Sequence, residues 1–339
     1  MQAEIESTDQ QKADARLDAI RQWVETHLKF SDYSIAAASA DASFRRYFRL
    51  SSAGNSWIIM DAPPDKENCG PFIKVAKLLE SAGVHAPHIF SFNETEGFMQ
   101  LSDLGSTAYL GQLTAHSVDA LYRDAIQAIV HMQTIKADLP AYDEALLMFE
   151  MSLFNDWYLQ KHLALSLNAQ QLAVLQDTQQ QLVASALSQP VVFVHRDYHS
   201  RNLMLLEKNN PGVIDFQDAV NGPASYDLVS LIKDCYIAWP REKQLQWIDL
   251  YLELSACQLD RDLFIRQLDL MGMQRHLKAI GIFARLNHRD GKPGYLNDIP
   301  RTLSYVIDVC QRYEELSDFK VLLEQLGLQG DSDTLGILQ

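Results

Sequence analysis

Two histidines, two arginines, an aspartate and an asparagine directly follow an apolar run in this chain. The stretch VVFVHRDYHSRNL, residues 191–203, is typical of a strand that ends in groups able to donate, accept and coordinate. Asp197 follows the apolar run, Asn202 comes five residues later, and Asp215 lies in a later apolar run, VIDF. The turn NNPG at 209–212 lies between the run LMLL (203–206) and VIDF, and it predicts a hairpin that brings the three side chains together.

These oxygen-bearing side chains fit phosphoryl transfer. An amide oxygen and a carboxylate suit a hard cation such as Mg²⁺, and a second carboxylate can accept the proton of a hydroxyl group. The order H-R-D-x-x-x-x-N, with a further aspartate 18 residues after the first, is that of the protein-kinase catalytic loop and its D-F-G aspartate. We therefore predict that Asp197 is the catalytic base and that Asn202 and Asp215 bind Mg²⁺.

Other interpretations of the same residues stay open at this point. Asp197 could form an Asx turn, Asn202 could be a loop amide and Asp215 could cap a helix. His195, Asp197 and His199 also form the pattern H-x-D-x-H, which suggests a metal hydrolase, although no second histidine-rich cluster supports that site. We interpret His195 as a packed residue that orients the loop.

Short β-rich segments precede long helical patterns along the chain. Hairpins are predicted at 47–60 and 89–101, with a helix between them whose apolar face carries Phe72, Val75, Ala76 and Leu79. Later helical patterns cover 117–135, 146–165, 169–188 and much of 225–339, and β signals among them lie at 191–194, 203–206 and 213–216. This order predicts an α+β fold of two lobes. We expect a small β-rich N-lobe with one helix at 1–103 and a large, mainly helical C-lobe at 104–339.

Composition narrows the class of protein. The 339 residues include 29 Lys+Arg and 44 Asp+Glu, and the net charge of −15 argues against nonspecific nucleic-acid binding. No apolar run approaches the roughly 20 residues that span a bilayer, and the polar first residues do not resemble a secretion signal. The dispersed cysteines, Cys69, Cys235, Cys257 and Cys310, predict reduced, buried thiols. We expect a cytoplasmic protein that acts on a small molecule, with no nucleic-acid, membrane or obligate protein partner.

The segment after the catalytic loop resembles a known family. The run DFQDAVNGPASYDL (215–228) is similar to the aminoglycoside phosphotransferase and choline kinase-like branch of the protein-kinase fold. Its Gly-Pro-x-x-Tyr-Asp-Leu portion stands where protein kinases have an activation loop and an A-P-E segment, and this replacement favours a small-molecule acceptor. The resemblance implies ATP and Mg²⁺ as cofactors. It also implies that Asp227 is structural and braces the catalytic loop.

Five longer stretches resemble one group within that branch, the bacterial anomeric N-acetylmuramate/N-acetylglucosamine kinases of cell-wall recycling. They are SADASFRRYFRL (39–50), MDAPPDKENCGPF (60–72), LSDLG (101–105), VHRDYHSRNLM (194–204) and QRHLKAIGIFARLNHRDGKPGYLNDIPR (274–301). The resemblance implies an ATP-dependent kinase that phosphorylates the anomeric hydroxyl of an amino sugar. The alternatives are a kinase of the same fold that acts on choline, an aminoglycoside or another sugar, and a pseudokinase that binds nucleotide without transfer.

Binding residues are less clearly marked than catalytic ones. The chain has no G-x-G-x-x-G motif, and Met60 stands where kinases carry the strand lysine, so the cation that faces the phosphates is open. We expect nucleotide-binding roles for Ser43, Arg45, Arg46 and Asp103. In the basic segment 274–301 we expect Arg275, His276 and Arg285 to bind the acceptor. An arginine there can pair with a carboxylate or donate to an N-acetyl carbonyl group.

Overall fold

The computed structural model describes residues 15–40, 44–255 and 260–331. Within these residues the chain forms two compact units. The first unit contains the chain up to Glu80 together with Ala86–Gly105, and the second contains Ser81–His85 together with the chain from Ser106 onwards. None of the described helices is long and apolar enough to cross a membrane.

The first unit is built on a five-stranded antiparallel sheet with the strand order β1-β2-β3-β5-β4. Its strands are β1 (Ser34–Ala40), β2 (Arg46–Ser52), β3 (Asn55–Asp61), β4 (Ile89–Asn93) and β5 (Phe98–Ser102). Both predicted hairpins are present, as β2 with β3 and β4 with β5. The sequence does not predict β1, because its run SIAAASA is dominated by small residues with low β propensity.

Two helices accompany this sheet. The helix at 15–26, α1, forms a buried cluster with the strands that contains Ile20, Trp23, Val24, Phe48, Leu50, Ile59 and Phe98. The second helix, α2 (Cys69–Ser81), buries the four residues of its predicted apolar face. The chain turns after α2 at Gly83, whose φ of 73° is the left-handed conformation common after a helix.

The second unit is mainly helical. Its α-helices are α3 (Val118–Gln133), α4 (Glu144–Leu153), α5 (Ala169–Leu187), α6 (Tyr226–Ile232), α7 (Arg241–Leu254), α8 (Arg261–Asp290), α9 (Ile299–Arg312) and α10 (Ser317–Gln325). The predicted helix at 146–165 is in fact α4 continued by a π-helix, Phe154–His162. The long helix α8 passes very close to this junction. A Cβ atom on Gly281 would lie 2.3 Å from the backbone carbonyl carbon of Leu153, so glycine is required there.

Two short antiparallel ladders in the second unit carry the residues predicted to do chemistry. β6 (Val191–Val194) pairs with β9 (Val220–Pro223), and β7 (Leu203–Met204) pairs with β8 (Gly212–Val213). β7 and β8 are shorter than predicted. β8 ends early because Asp215 has a φ of 66°, a left-handed conformation that an extended strand cannot contain. The sequence VNGP of β9 contains a glycine and a proline, and no strand pattern predicts it.

Candidate active site

A carboxylate from α6 holds the loop that follows β6. Asp227, in the first turn of α6, accepts hydrogen bonds from the backbone N–H groups of His195 (2.7 Å) and Arg196 (3.1 Å). Burial raises the pKa of Asp227 to about 7 although these two bonds oppose the shift. Arg196 has a φ of 77°, which a non-glycine residue keeps only where its surroundings enforce it. The two bonds fix the direction in which the chain leaves β6.

His195 is fully buried and connects two segments of the site. Burial lowers the pKa of His195 to about 4, so the ring is neutral at pH 7. Its Nε2 atom lies 3.1 Å from the carbonyl oxygen of Ile214, and its Nδ1 atom accepts from the N–H group of Asp197 at 3.2 Å. A neutral imidazole has one donor and one acceptor, and this arrangement uses both. The ring therefore ties the loop to the residue before Asp215.

Asp197 presents an ionised carboxylate to a cavity of about 90 Å³. Burial acts to raise the pKa of Asp197. The positive charge of Lys278, followed by the smaller influences of His199, His195 and Arg196, outweighs burial and holds the pKa below its ordinary value. At neutral pH the side chain can therefore accept a proton, which is the state that a general base needs.

Asn202 and Asp215 lie in contact beside this loop. The Nδ2 atom of Asn202 donates to Oδ2 of Asp215 and to the backbone oxygen of Asp197, each at 3.0 Å. Because the amide nitrogen makes both bonds, the amide oxygen is the atom of Asn202 that can bind a cation. Gln217 Nε2 donates to the other carboxylate oxygen of Asp215 at 2.9 Å. An adjacent amide oxygen and carboxylate form a donor set that suits Mg²⁺.

A buried carboxylate, Glu150 of α4, joins the catalytic loop to α8. Its Oε1 atom accepts from Arg196 Nη2 and lies 2.9 Å from Lys278 Nζ. Its Oε2 atom accepts from the Tyr142 hydroxyl and from Gln274 Nε2. Burial opposes the charge of Glu150, yet Lys278 and Arg196 hold its pKa below the ordinary value. One carboxylate thus fixes a loop cation and a helix cation together.

Two cations of α8 line the cavity beside Asp197. Arg275 and Lys278 are each more than nine-tenths buried. Besides Glu150, the Lys278 ammonium group bonds to the Tyr226 hydroxyl at 3.2 Å. Burial opposes the charge of Lys278, but Tyr226, Glu150 and Asp197 raise its pKa to about 12. The cavity therefore contains two buried positive charges and the carboxylate of Asp197.

The other two residues predicted to bind the acceptor do not line this cavity. His276 is fully buried, its Nε2 atom lies 2.9 Å from the carbonyl oxygen of Lys233, and its ring stacks on Tyr305. Arg285 is partly buried, and burial lowers its pKa. Successive residues of a helix point about 100° apart, so Arg275 can face the cavity while the next residue, His276, points in a different direction.

The residues predicted to bind nucleotide are already engaged in ion pairs within the first unit. The pairs are Arg45 with Glu67 (3.0 Å), Arg46 with Asp61 (2.9 Å) and Arg49 with Asp103 (2.6 Å). Each guanidinium has five N–H donors, so a carboxylate partner does not use all of them. Ser43, the remaining predicted residue, lies outside the described residues.

Sequence reasoning missed two acidic residues around these sites. Glu150 lies in an apolar helical pattern and Glu67 in a loop, and no spacing identifies either as the partner of an arginine. The spacing of Lys278 does place it beside Arg275, because it follows Arg275 by three residues and so shares its helical face.

Comparison with known proteins connects this geometry to a family. Residues 34–262 match the phosphotransferase enzyme family APH. The chain belongs to this family. An N-acetylmuramate/N-acetylglucosamine kinase from Pseudomonas putida is 46% identical to this phosphotransferase over 330 residues, which cover 92% of this chain and 97% of that protein. A protein of the same name from Neisseria meningitidis serogroup B is 42% identical over 321 residues, 91% of this chain and 95% of that protein.

Solved structures share the fold at low sequence identity. An ethanolamine kinase of Plasmodium vivax has a TM-score of 0.63 at 12% identity and covers 86% of this chain and 88% of that chain. The choline kinase LicA from Streptococcus pneumoniae has a TM-score of 0.61 at 10% identity, over 86% and 98% of the two chains. Together with the family match, these structures confirm the predicted kinase-like fold, the predicted family and the phosphotransferase class.

Proposed function

We propose that this phosphotransferase transfers the γ-phosphoryl group of ATP to the anomeric hydroxyl of N-acetylmuramate or N-acetylglucosamine, as a kinase of bacterial cell-wall recycling. The observation that carries the proposal is the name shared by relatives at 46% and 42% identity, both covered over nearly their full length. The presence of Asp197, Asn202 and Asp215 together supports an active kinase, because a protein that only binds nucleotide does not need all three.

In the proposed reaction Asp197 is the base. It accepts the proton of the C1 hydroxyl while the hydroxyl oxygen forms its bond to phosphorus and the bond between phosphorus and the ADP oxygen breaks. Lys278 favours the ionised state of Asp197 before the reaction. His195 and Asp227 act indirectly, because they hold the loop in the conformation that presents the carboxylate of Asp197.

Asn202 and Asp215 fit a Mg²⁺ ion, because they place an amide oxygen beside a carboxylate. When bound, the ion would neutralise charge on the phosphate oxygens. We assign nucleotide binding to the lobe at 1–103, through the guanidinium donors of Arg45 and Arg46 together with Ser43 and Asp103. Acceptor binding is assigned to the lobe at 104–339.

The test is turnover of a substrate panel with ATP and Mg²⁺. We expect ADP release with N-acetylmuramate and N-acetylglucosamine, a C1 phosphate by ³¹P NMR, and no reaction with kanamycin or choline. Asp197→Asn should lower kcat by about 10²–10⁴, the range for loss of a general base, without weakening ATP binding. Asp218→Asn, an exposed residue nearby, should keep the wild-type rate. Efficient kanamycin or choline phosphorylation would contradict the acceptor assignment, and near-wild-type turnover by Asp197→Asn would exclude it as the base.

A further inference from the structure

The cavity beside Asp197 contains a guanidinium whose pairing is incomplete. Arg275 is 6% exposed, and among the described residues its one hydrogen-bond acceptor is the thiol of Cys235, 3.4 Å from Nη1. A thiol accepts weakly, whereas a guanidinium has five N–H donors. Because a buried charged group is costly unless its donors are satisfied, Arg275 needs an oxygen acceptor that the described protein does not supply.

A second polar side chain lines the same cavity. His199 also lines it, and the buried Nδ1 atom of His199 has no hydrogen-bond partner among the described residues. The ring makes an edge contact with Tyr236, another residue of the cavity wall. A ligand that occupies this cavity therefore lies beside two polar side chains from different elements, Arg275 of α8 and His199 of the catalytic loop.

One side of the cavity wall is apolar. Ala279, Ile282 and Phe283 line it and follow Arg275 by four, seven and eight residues. Residues at these spacings share one face of a helix, so the apolar surface continues directly from the guanidinium. The wall offers a place for a small hydrocarbon group next to the polar contacts.

The size of the cavity limits what it can hold. Its volume of about 90 Å³ is well below the roughly 300–1,000 Å³ of pockets that enclose whole ligands, so it fits one substituent of a sugar. The substituent must accept a hydrogen bond from Arg275 and end in an apolar group. A carboxylate would also satisfy Arg275, but the carboxylate of Asp197 in the same cavity would repel it.

We propose that this cavity is the subsite for the 2-acetamido group of the acceptor sugar. The acetamido carbonyl oxygen accepts from Arg275, and its methyl group packs on Ile282 and Phe283. The assignment rests on the proposed function, which places the C1 hydroxyl at Asp197. C2, the carbon that carries the acetamido group, is directly bonded to C1.

The first test enlarges the apolar end of the subsite. Ile282→Ala should improve kcat/KM for N-butanoylglucosamine relative to N-acetylglucosamine by about 10-fold or more, since one methylene in a fitted pocket changes selectivity about 10–200-fold. Ile280→Ala removes the same atoms from the same helix, but Ile280 does not line the cavity, so its selectivity should remain that of the wild type. Unchanged acyl selectivity in Ile282→Ala would overturn the proposal.

The second test removes the guanidinium. Arg275→Met should raise KM for N-acetylglucosamine and N-acetylmuramate by similar factors, about 10-fold or more, because both sugars carry the acetamido group. A rise confined to N-acetylmuramate would assign Arg275 to the lactyl carboxylate and overturn the acetamido subsite. Failure of the wild-type protein to phosphorylate either sugar would reject the proposed function. Turnover of both sugars with no effect of either substitution would reject the subsite alone.

Discussion

Asp269 of α8 is a fully buried carboxylate between two cations, and its ionisation should be measurable in the pH dependence of stability. Its Oδ1 atom lies 2.7 Å from Lys233 Nζ and its Oδ2 atom lies 2.7 Å from Arg241 Nη2. Burial acts to raise the pKa of Asp269, but Lys233 and Arg241 lower it from 3.8 to about 2.

The size and sign of the effect follow from this pKa. Because the pKa of Asp269 is lower in the folded protein than in the unfolded chain, acid protonates the unfolded chain first and favours unfolding. The difference between 3.8 and about 2 corresponds to about 2.4 kcal/mol of unfolding free energy at neutral pH, at ~1.4 kcal/mol for each pH unit. This contribution is fully present above about pH 5, and about 1 kcal/mol of it should be lost between pH 6 and pH 3.

Urea unfolding of the wild type and of Asp269→Asn at several pH values measures this contribution. At pH 7 the variant should be about 3–5 kcal/mol less stable, because it leaves a buried cation without its carboxylate. As the pH falls to 3, the difference should narrow by about 1 kcal/mol. Asp249→Asn removes an exposed pair with Arg261 and should cost under about 1 kcal/mol. A wild-type-to-variant difference that stays constant from pH 7 to pH 3 would refute the assigned pKa.

Two further substitutions test contacts of the second unit. Gly281→Ala should lower the unfolding free energy by about 3 kcal/mol, and with it Tm, because the added Cβ would lie 2.3 Å from backbone. Gly294→Ala should leave Tm nearly unchanged, because a Cβ on Gly294 would meet open space. An unchanged Tm for Gly281→Ala would contradict this packing. Glu150→Gln should lower kcat by up to about 10²-fold, because Arg196 and Lys278 lose the carboxylate that positions them. Steady-state kinetics tests this role, with Glu144→Gln as the control because Glu144 is exposed. Equal kcat values for the two variants would exclude a positioning role for Glu150.

The sequence predicts the fold where side-chain periodicity is strong and fails where backbone conformation decides. The β2–β3 and β4–β5 hairpins and the buried face of α2 follow from alternation and helical spacing. The shortened β8 does not, because the apolar letters VIDF continue while the left-handed conformation of Asp215 ends the strand. The pairing of β9 with β6 could not be predicted from the sequence either, because glycine and proline are rare inside strands.

The same limit applies to the site. Spacing alone places Arg275, Lys278 and Ile282 on one face of α8, but it does not say whether that face or the face of His276 meets the catalytic loop. Glu150 decides the question, because it pairs with Arg196 of the loop and with Lys278 of the helix, and so turns this face toward Asp197. The pairing also changes what the basic segment can bind. Lys278 is largely neutralised within the protein, so Arg275 is the member of the pair whose donors remain for a ligand.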